Sequence, residues 1–161
     1  LENCEAIQAK RRLVWEKYHA GLKGWAEENG VRLPFIPQHC EQPYHMFYLL
    51  LPSLEDRQGL IAHLASRGIL AVFHYLPLHL SDMGLRFGGR LGDCPVTEAV
   101  SGCLVRLPFY NDLSESDQAF VVDCVRSFKT RDKKNAFEVP KTNSSSHTNE
   151  GITHLSAPHS P

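Results

Sequence analysis

The longest patterned stretch opens the chain. Ile7, Val14, Tyr18, Leu22 and Trp25 recur at three- and four-residue steps, and Lys and Glu fill much of the opposite face. Residues 2–29 therefore read as one amphipathic helix. Gly30 falls where a helix ends on a left-handed residue. Val31–Leu33 reads as a short strand, and Pro34, Pro37 and Pro43 keep the next segment extended and irregular. Tyr44–Leu51 (YHMFYLLL) is short, aromatic and aliphatic, and bounded by prolines, the pattern of a buried strand. Ser53 with Asp56 three residues on forms a capping pair. The helix it opens carries a stripe of Leu54, Ile61, Leu64 and Ala65 and stops at Gly68; Ile69–Phe73 reads as the next strand. Strand, helix and strand take about thirty residues, the length a crossover needs.

The pattern then loosens. Residues 74–92 form a loop rich in glycine and histidine. Asp93 or Cys94 caps a short helix with Pro95 in its first turn, where the missing N–H costs nothing. Leu104–Leu107 reads as an edge strand ended by Pro108. Ser114 and Asp117 cap a last helix with Phe120, Val121, Cys124, Val125 and Phe128 on one face. The fold class expected is α+β, helices packed on a small sheet. After Phe128 the chain turns polar, rich in Ser, Thr, Asn and Pro, and aperiodic. That gives one folded domain over residues 1–128 and a disordered tail over 129–161, because the tail holds too little apolar area to offset its ordering entropy.

Composition narrows the function. With 42% hydrophobic and 22% charged residues, the chain has material for one modest core. A formal charge of −1 gives no electrostatic footprint for DNA, RNA or an anionic membrane. Tyr44, Phe47, Tyr48 and Phe73 on strands resemble a base-stacking platform only superficially, since no basic patch accompanies them. No apolar run is long enough for a membrane span, and no signal peptide opens the chain. The five cysteines, an odd and irregularly spaced set, point to a reducing cytoplasm, with Cys4, Cys103 and Cys124 among apolar neighbours. The chain starts inside a helical pattern and without Met, which suggests a fragment.

Candidate chemistry concentrates in FHYLPLHLSDMGLRFGG, residues 73–89. A chain leaving a strand often carries ligand contacts on a rigid base. His74, Tyr75 and His79 can donate to phosphate or sugar oxygens, and Arg86 can fork two phosphate oxygens. Gly84, Gly88 and Gly89 can let the backbone approach and turn N–H groups toward an anion. The same residues also suit a plain connector, its glycines permitting turns. His39, Cys40 and His45 lack the paired spacing of a zinc site, and His45 reads as a core or interface histidine. Schiff-base chemistry needs a lysine kept uncharged by its setting. Lys10, Lys17 and Lys23 lie on an exposed helix face, and Lys129, Lys133, Lys134 and Lys141 fall in the tail. The chain thus offers binding groups and no catalytic, cofactor-binding or metal-ligating set of its own.

VWEKYHAGL (14–22), YHMFYLLLP (44–52), FHYLPLHLSDMGLRFG (73–88) and VRLPFYNDLSESD (105–117), taken together in this order, resemble the C-terminal domain of DegT/DnrJ/EryC1/StrS sugar aminotransferases over residues 1 to about 128. The resemblance implies the small domain of a fold-type I enzyme dependent on pyridoxal 5'-phosphate. The cofactor and its lysine would be held by a large domain preceding Leu1. It further implies a dTDP-linked 4-keto-6-deoxy sugar as acceptor, glutamate as amino donor, and a homodimer. Carried over by motif, His74 and Tyr75 approach the sugar nucleotide, His79 lies near the mouth of the site, and Arg86 contacts a phosphate or nucleotide. Arg106 and Tyr110 in RLPFY read as structural, and the Gly89–Gly92 stretch departs from the family pattern. Alone, such a fragment is expected to be inactive. The alternative is a non-catalytic interaction or nucleotide-binding module.

Overall fold

The computed structural model describes residues 2–131. Along the chain come α1 (Cys4–Asn29), β1 (Tyr48–Leu50), α2 (Leu54–Ala65), β2 (Val72–Phe73), a 3-10 turn (Leu78–Leu80), α3 (Asp82–Arg86), α4 (Pro95–Cys103), β3 (Leu104–Arg106) and α5 (Glu115–Ser127). The three strands form one sheet in the order β1-β3-β2, both outer strands antiparallel to β3. β1 and β2 are therefore parallel to each other but separated by β3, and α2 makes the crossover between them. The expected α+β class holds.

The position of β3 corrects the sequence reading. Leu104–Leu107 was expected at an edge, because Pro108 cannot donate to a ladder; it is the central strand instead. Leu107 N–H gives the last ladder bond, 3.1 Å to Phe47 O, so Pro108 already lies beyond the pairing. Leu104, Val105 and Leu107 are all buried, as suits the central strand of the sheet. The outer strands are shorter than expected. Tyr44 takes a left-handed backbone at φ 43, which breaks the extended run before Tyr48. Val31–Leu33 contributes only a bridge between Arg32 and Leu50.

The helices follow their signals closely. Gly30 at φ 65 closes α1, and its N–H and that of Val31 both donate to Ala26 O. Ser53 Oγ accepts from Asp56 N at 3.0 Å, and Ser114 Oγ accepts from Asp117 N at 3.0 Å. Pro95 occupies the first turn of α4. α1 buries Val14, Trp15, Tyr18, Leu22, Trp25 and Ala26, and Trp15 (edge-on) and Tyr18 (tilted) pack their rings against Phe47 just before β1. The apolar stripes of the shorter helices are narrower than their sequences suggest. α2 buries Asp56, Leu60 and Leu64 while Leu54 is exposed, and α5 buries Gln118, Val121, Cys124 and Val125 while Phe120 is exposed. Cys4, expected among apolar neighbours, is exposed; Cys103 and Cys124 are buried, and all five cysteines are free.

The packed chain runs past the expected boundary at Phe128. Trp25 Nε1 donates to Phe128 O at 2.8 Å, Thr130 Oγ1 to Asn29 O at 3.0 Å, and Arg131 N to Asp56 Oδ1 at 2.9 Å. Thr130, Asn29 and Asp56 are buried. This strap satisfies polar groups at the C-terminal end of α1 and the N-terminal end of α2, a role that composition does not reveal. The remainder of the expected tail, 132–161, lies outside the described residues. Among the described residues no helix is long and apolar enough to cross a membrane.

Candidate functional site at the open face of the sheet

Residues paired across neighbouring strands point to the same side of a sheet. Leu49 pairs with Val105, and Phe73 with Val105, on the side that α1, α2 and α5 cover; Leu49 and Val105 are fully buried. Tyr48 and Val72 both pair with Arg106 on the other side, and all three are only half-buried. The chain leaves β2 at the edge of this open face and enters the loop singled out from sequence.

His74 is half-buried and Tyr75 is 73% exposed; their rings lie 5.1 Å apart. The Arg106 guanidinium sits over the Tyr75 ring at 5.5 Å, a cation–π arrangement. Burial, then the positive charge of Arg106, then His45, hold the His74 imidazole below its ordinary pKa, so the neutral ring is favoured. Beside this group opens a cleft of about 480 Å³ with His74, Tyr75, Leu78, Val96, Val100 and Leu104 in its walls. Its lining is mostly apolar with a few polar side chains, a composition suited to a small-molecule ligand.

The other two site residues from sequence go elsewhere. His79 Nε2 bonds Glu98 Oε1 at 2.7 Å, and Glu98 also accepts from Gly92 N at 2.9 Å and Cys94 N at 3.3 Å. His79 therefore latches the loop to α4. The bond from His79 holds Glu98 below the usual carboxylate range, with the backbone N–H groups adding to it and desolvation opposing it. Arg86 ends α3 exposed, and no hydrogen bond or ion pair joins it to the other three among the described residues.

The glycine amides are also committed. Gly84 N donates to Ser81 Oγ at 3.1 Å, Gly88 N to Leu85 O at 3.1 Å and Gly89 N to Gly84 O at 2.9 Å. None is free to cradle an anion. Gly84 and Gly89 are needed for close packing, since a Cβ on either would collide with the His79 carbonyl group. Of the two sequence readings of these glycines, the anion-facing amides give way to the connector: a self-bonded loop that presents His74 and Tyr75 at its start.

His39, Cys40 and His45 are exposed, so His45 is not a core residue. The described residues bring together no group of three or more metal-type side chains. Lys10, Lys23 and Lys129 are exposed, and Lys10 and Lys17 pair with Asp112 and Glu115. No described lysine enters the site, so these residues do not fit the task of holding pyridoxal phosphate. Sequence reasoning missed two participants: Arg106, read as structural, and Glu98, the partner of His79. The two-residue period gave a signal for the first, because Val72 faces Arg106 and His74 is the next position of that phase.

Comparison with known proteins agrees with this fold. The DegT/DnrJ/EryC1/StrS aminotransferase family model matches residues 1–126. A dTDP-3-amino-3,4,6-trideoxy-alpha-D-glucose transaminase of Micromonospora megalomicea subsp. nigra is 28% identical over 132 residues, covering 81% of this chain and 34% of that protein. The pleiotropic regulatory protein of Geobacillus stearothermophilus is 30% identical over 113 residues, covering 70% of this chain and 30% of that one. The crystal structure of S. venezuelae DesV in complex with a ketimine intermediate is similar at a TM-score of 0.70 and 27% identity, over 78% of this chain and 32% of that chain. The chain thus spans about a third of the length of the relatives it matches. With the family model extending from the first residue through nearly all of α5, the chain belongs to the DegT/DnrJ/EryC1/StrS aminotransferase family.

Proposed function

We propose that this chain is the substrate-side small domain of a fold-type I, pyridoxal-phosphate-dependent sugar-nucleotide transaminase, acting in the cytoplasm. The observation that carries the reading is the open sheet face. His74 and Tyr75 stand at the rim of an apolar cleft of about 480 Å³. In this reading the cofactor and its lysine are supplied by a large domain outside these residues, and the acceptor is a dTDP-linked 4-keto-6-deoxy sugar. Glutamate donates the amino group. When bound, pyridoxal phosphate supplies the electron sink of transamination. The part of this chain is to bind and orient the sugar nucleotide through His74 and Tyr75 and to exclude water from the site. His79 and Arg86 take lesser parts: His79 fixes the loop, and exposed Arg86 is available to a phosphate.

The surface supports a role inside a larger assembly. Leu76, Leu78, Phe87 and Leu91 are each at least 70% exposed within one loop. An apolar patch of this kind suits coverage by the large domain or by a homodimer partner.

The test uses the 161-residue chain with pyridoxal phosphate, glutamate and the dTDP-4-keto-6-deoxy sugar. No turnover and no lysine trapped by borohydride are expected from the chain alone. Turnover should appear when a matching large domain is added. A trapped lysine on the chain alone, or reconstituted turnover unaffected by the double change of His74→Ala and Tyr75→Ala, refutes the proposal.

A further inference from the structure

Two polar atoms on the open face are buried with no hydrogen-bond partner: Nδ1 of His74 and Nε of Arg106. Stranding such atoms is costly unless something else completes them. Arg106 is also a half-buried cation with no carboxylate within ion-pair distance among the described residues, its one charge-type contact being the Tyr75 ring. A cation over an aromatic face leaves the N–H groups at the guanidinium edge without acceptors, and that edge is a fork for oxyanions. Its location is set by the centre of the sheet. β3 is the middle strand, and Arg106 pairs with Tyr48 on one side and Val72 on the other. The backbone beneath it is thus held from both edges, unlike that of Arg86 on a five-residue helix.

We infer that Arg106 and His74 together form an oxyanion cradle that takes a phosphate oxygen of the ligand, with Arg106 as the principal anion-binding residue of this face. The inference rests on the sugar-nucleotide reading for the identity of the ligand and on the two stranded atoms for the cradle itself. Arg106 supplies the charge and the fork, and neutral His74 donates one further N–H from its Nδ1 tautomer. Tyr75 presents its ring to the guanidinium at 5.5 Å and helps to hold it in place. The Gly84–Gly89 amides, already bonded within the loop, take no part.

The test follows the His74 ring by proton–nitrogen correlation NMR in the full chain, titrated separately with pyrophosphate, dTDP and glutamate. Pyrophosphate should shift the His74 resonances and raise its pKa, because an anion reverses the effect of Arg106. Arg106→Gln should weaken pyrophosphate about tenfold or more. Arg106→Lys keeps the charge and the stem but not the fork, and should weaken it by a smaller factor; it carries the test where the glutamine variant fails to fold. Unshifted His74 in all three titrations, or equal pyrophosphate affinity in wild type and both variants, overturns the cradle. A response to glutamate alone overturns the phosphate assignment. If pyrophosphate binds through Arg106 but dTDP binds no tighter, the cradle stands and the nucleotide reading of this site fails.

Discussion

Replacing Thr130 by valine in the full chain tests whether the strap beyond Phe128 belongs to the fold. Thr130 is buried, and its hydroxyl donates to the carbonyl of Asn29 at 3.0 Å. Valine keeps the shape and removes the donor. The net loss for one hydrogen bond is about 1 kcal/mol, and leaving a carbonyl stranded beside a fully buried Asn29 brings the total to about 1–3 kcal/mol. Urea unfolding followed by circular dichroism reads this directly. At slopes of about 1–3 kcal/mol/M, a loss of about 2 kcal/mol lowers the midpoint by roughly 1 M with the slope unchanged. A surface residue in a draped tail would move stability by no more than about 0.5 kcal/mol. A change that small refutes the claim that Thr130 is part of the packed domain. Asp56→Ala should exceed the valine change, because it strips Ser53 Oγ and Arg131 N of one acceptor together.

Other consequences are as direct. Glu98 is held below the ordinary carboxylate range in the folded state, so its contribution is present above its unfolded pKa and fades as pH falls through the lowered folded value. Protection factors at Gly92 and Cys94, the exchange rates relative to the intrinsic rates at each pH, should fall in that acid window, and Glu98→Gln should abolish this fall; unchanged protection across the window refutes the latch. Gly84→Ala should cost about 1–3 kcal/mol, since its Cβ would meet the Leu78 and His79 carbonyls. The damage should show as faster exchange across the loop while α1 and α5 keep their protection. Ser114→Ala removes the cap of α5 and should cost about 1 kcal/mol in thermal or urea melts.

Much of the fold was legible because its signals are local. Ser53, Ser114, Gly30 and Pro95 act within one turn of where they stand, and each marks a helix end in the structure. Strand extents were overread, since the kink at Tyr44 and the two-residue length of β2 depend on pairing partners far along the chain. The central place of β3 is likewise a matter of topology, as a proline after a strand says nothing about which neighbours it has. At the site, His74 and Tyr75 were named from sequence, whereas the diversion of His79 needed Glu98, nineteen positions on. Arg106 was misread because its neighbours in sequence, Val105 and Leu107, are core residues; the alternation of a strand places the arginine on the opposite face.

The split order of the sheet has a consequence for how the chain comes into being. β1 and β2 never touch, so a growing chain that has delivered both still owns no sheet: every ladder bond between named strands involves residues 104–106. During synthesis, residues 4–65 can form α1 and α2 by local contacts, yet their apolar faces wait for a filler that arrives late. Such non-local closure slows folding and prolongs the exposure of sticky intermediates. A stop anywhere before Leu107 should then leave a protease-sensitive and aggregation-prone product rather than a smaller stable one. The last strand to be made is the one that turns two disconnected edges into a single cooperative unit.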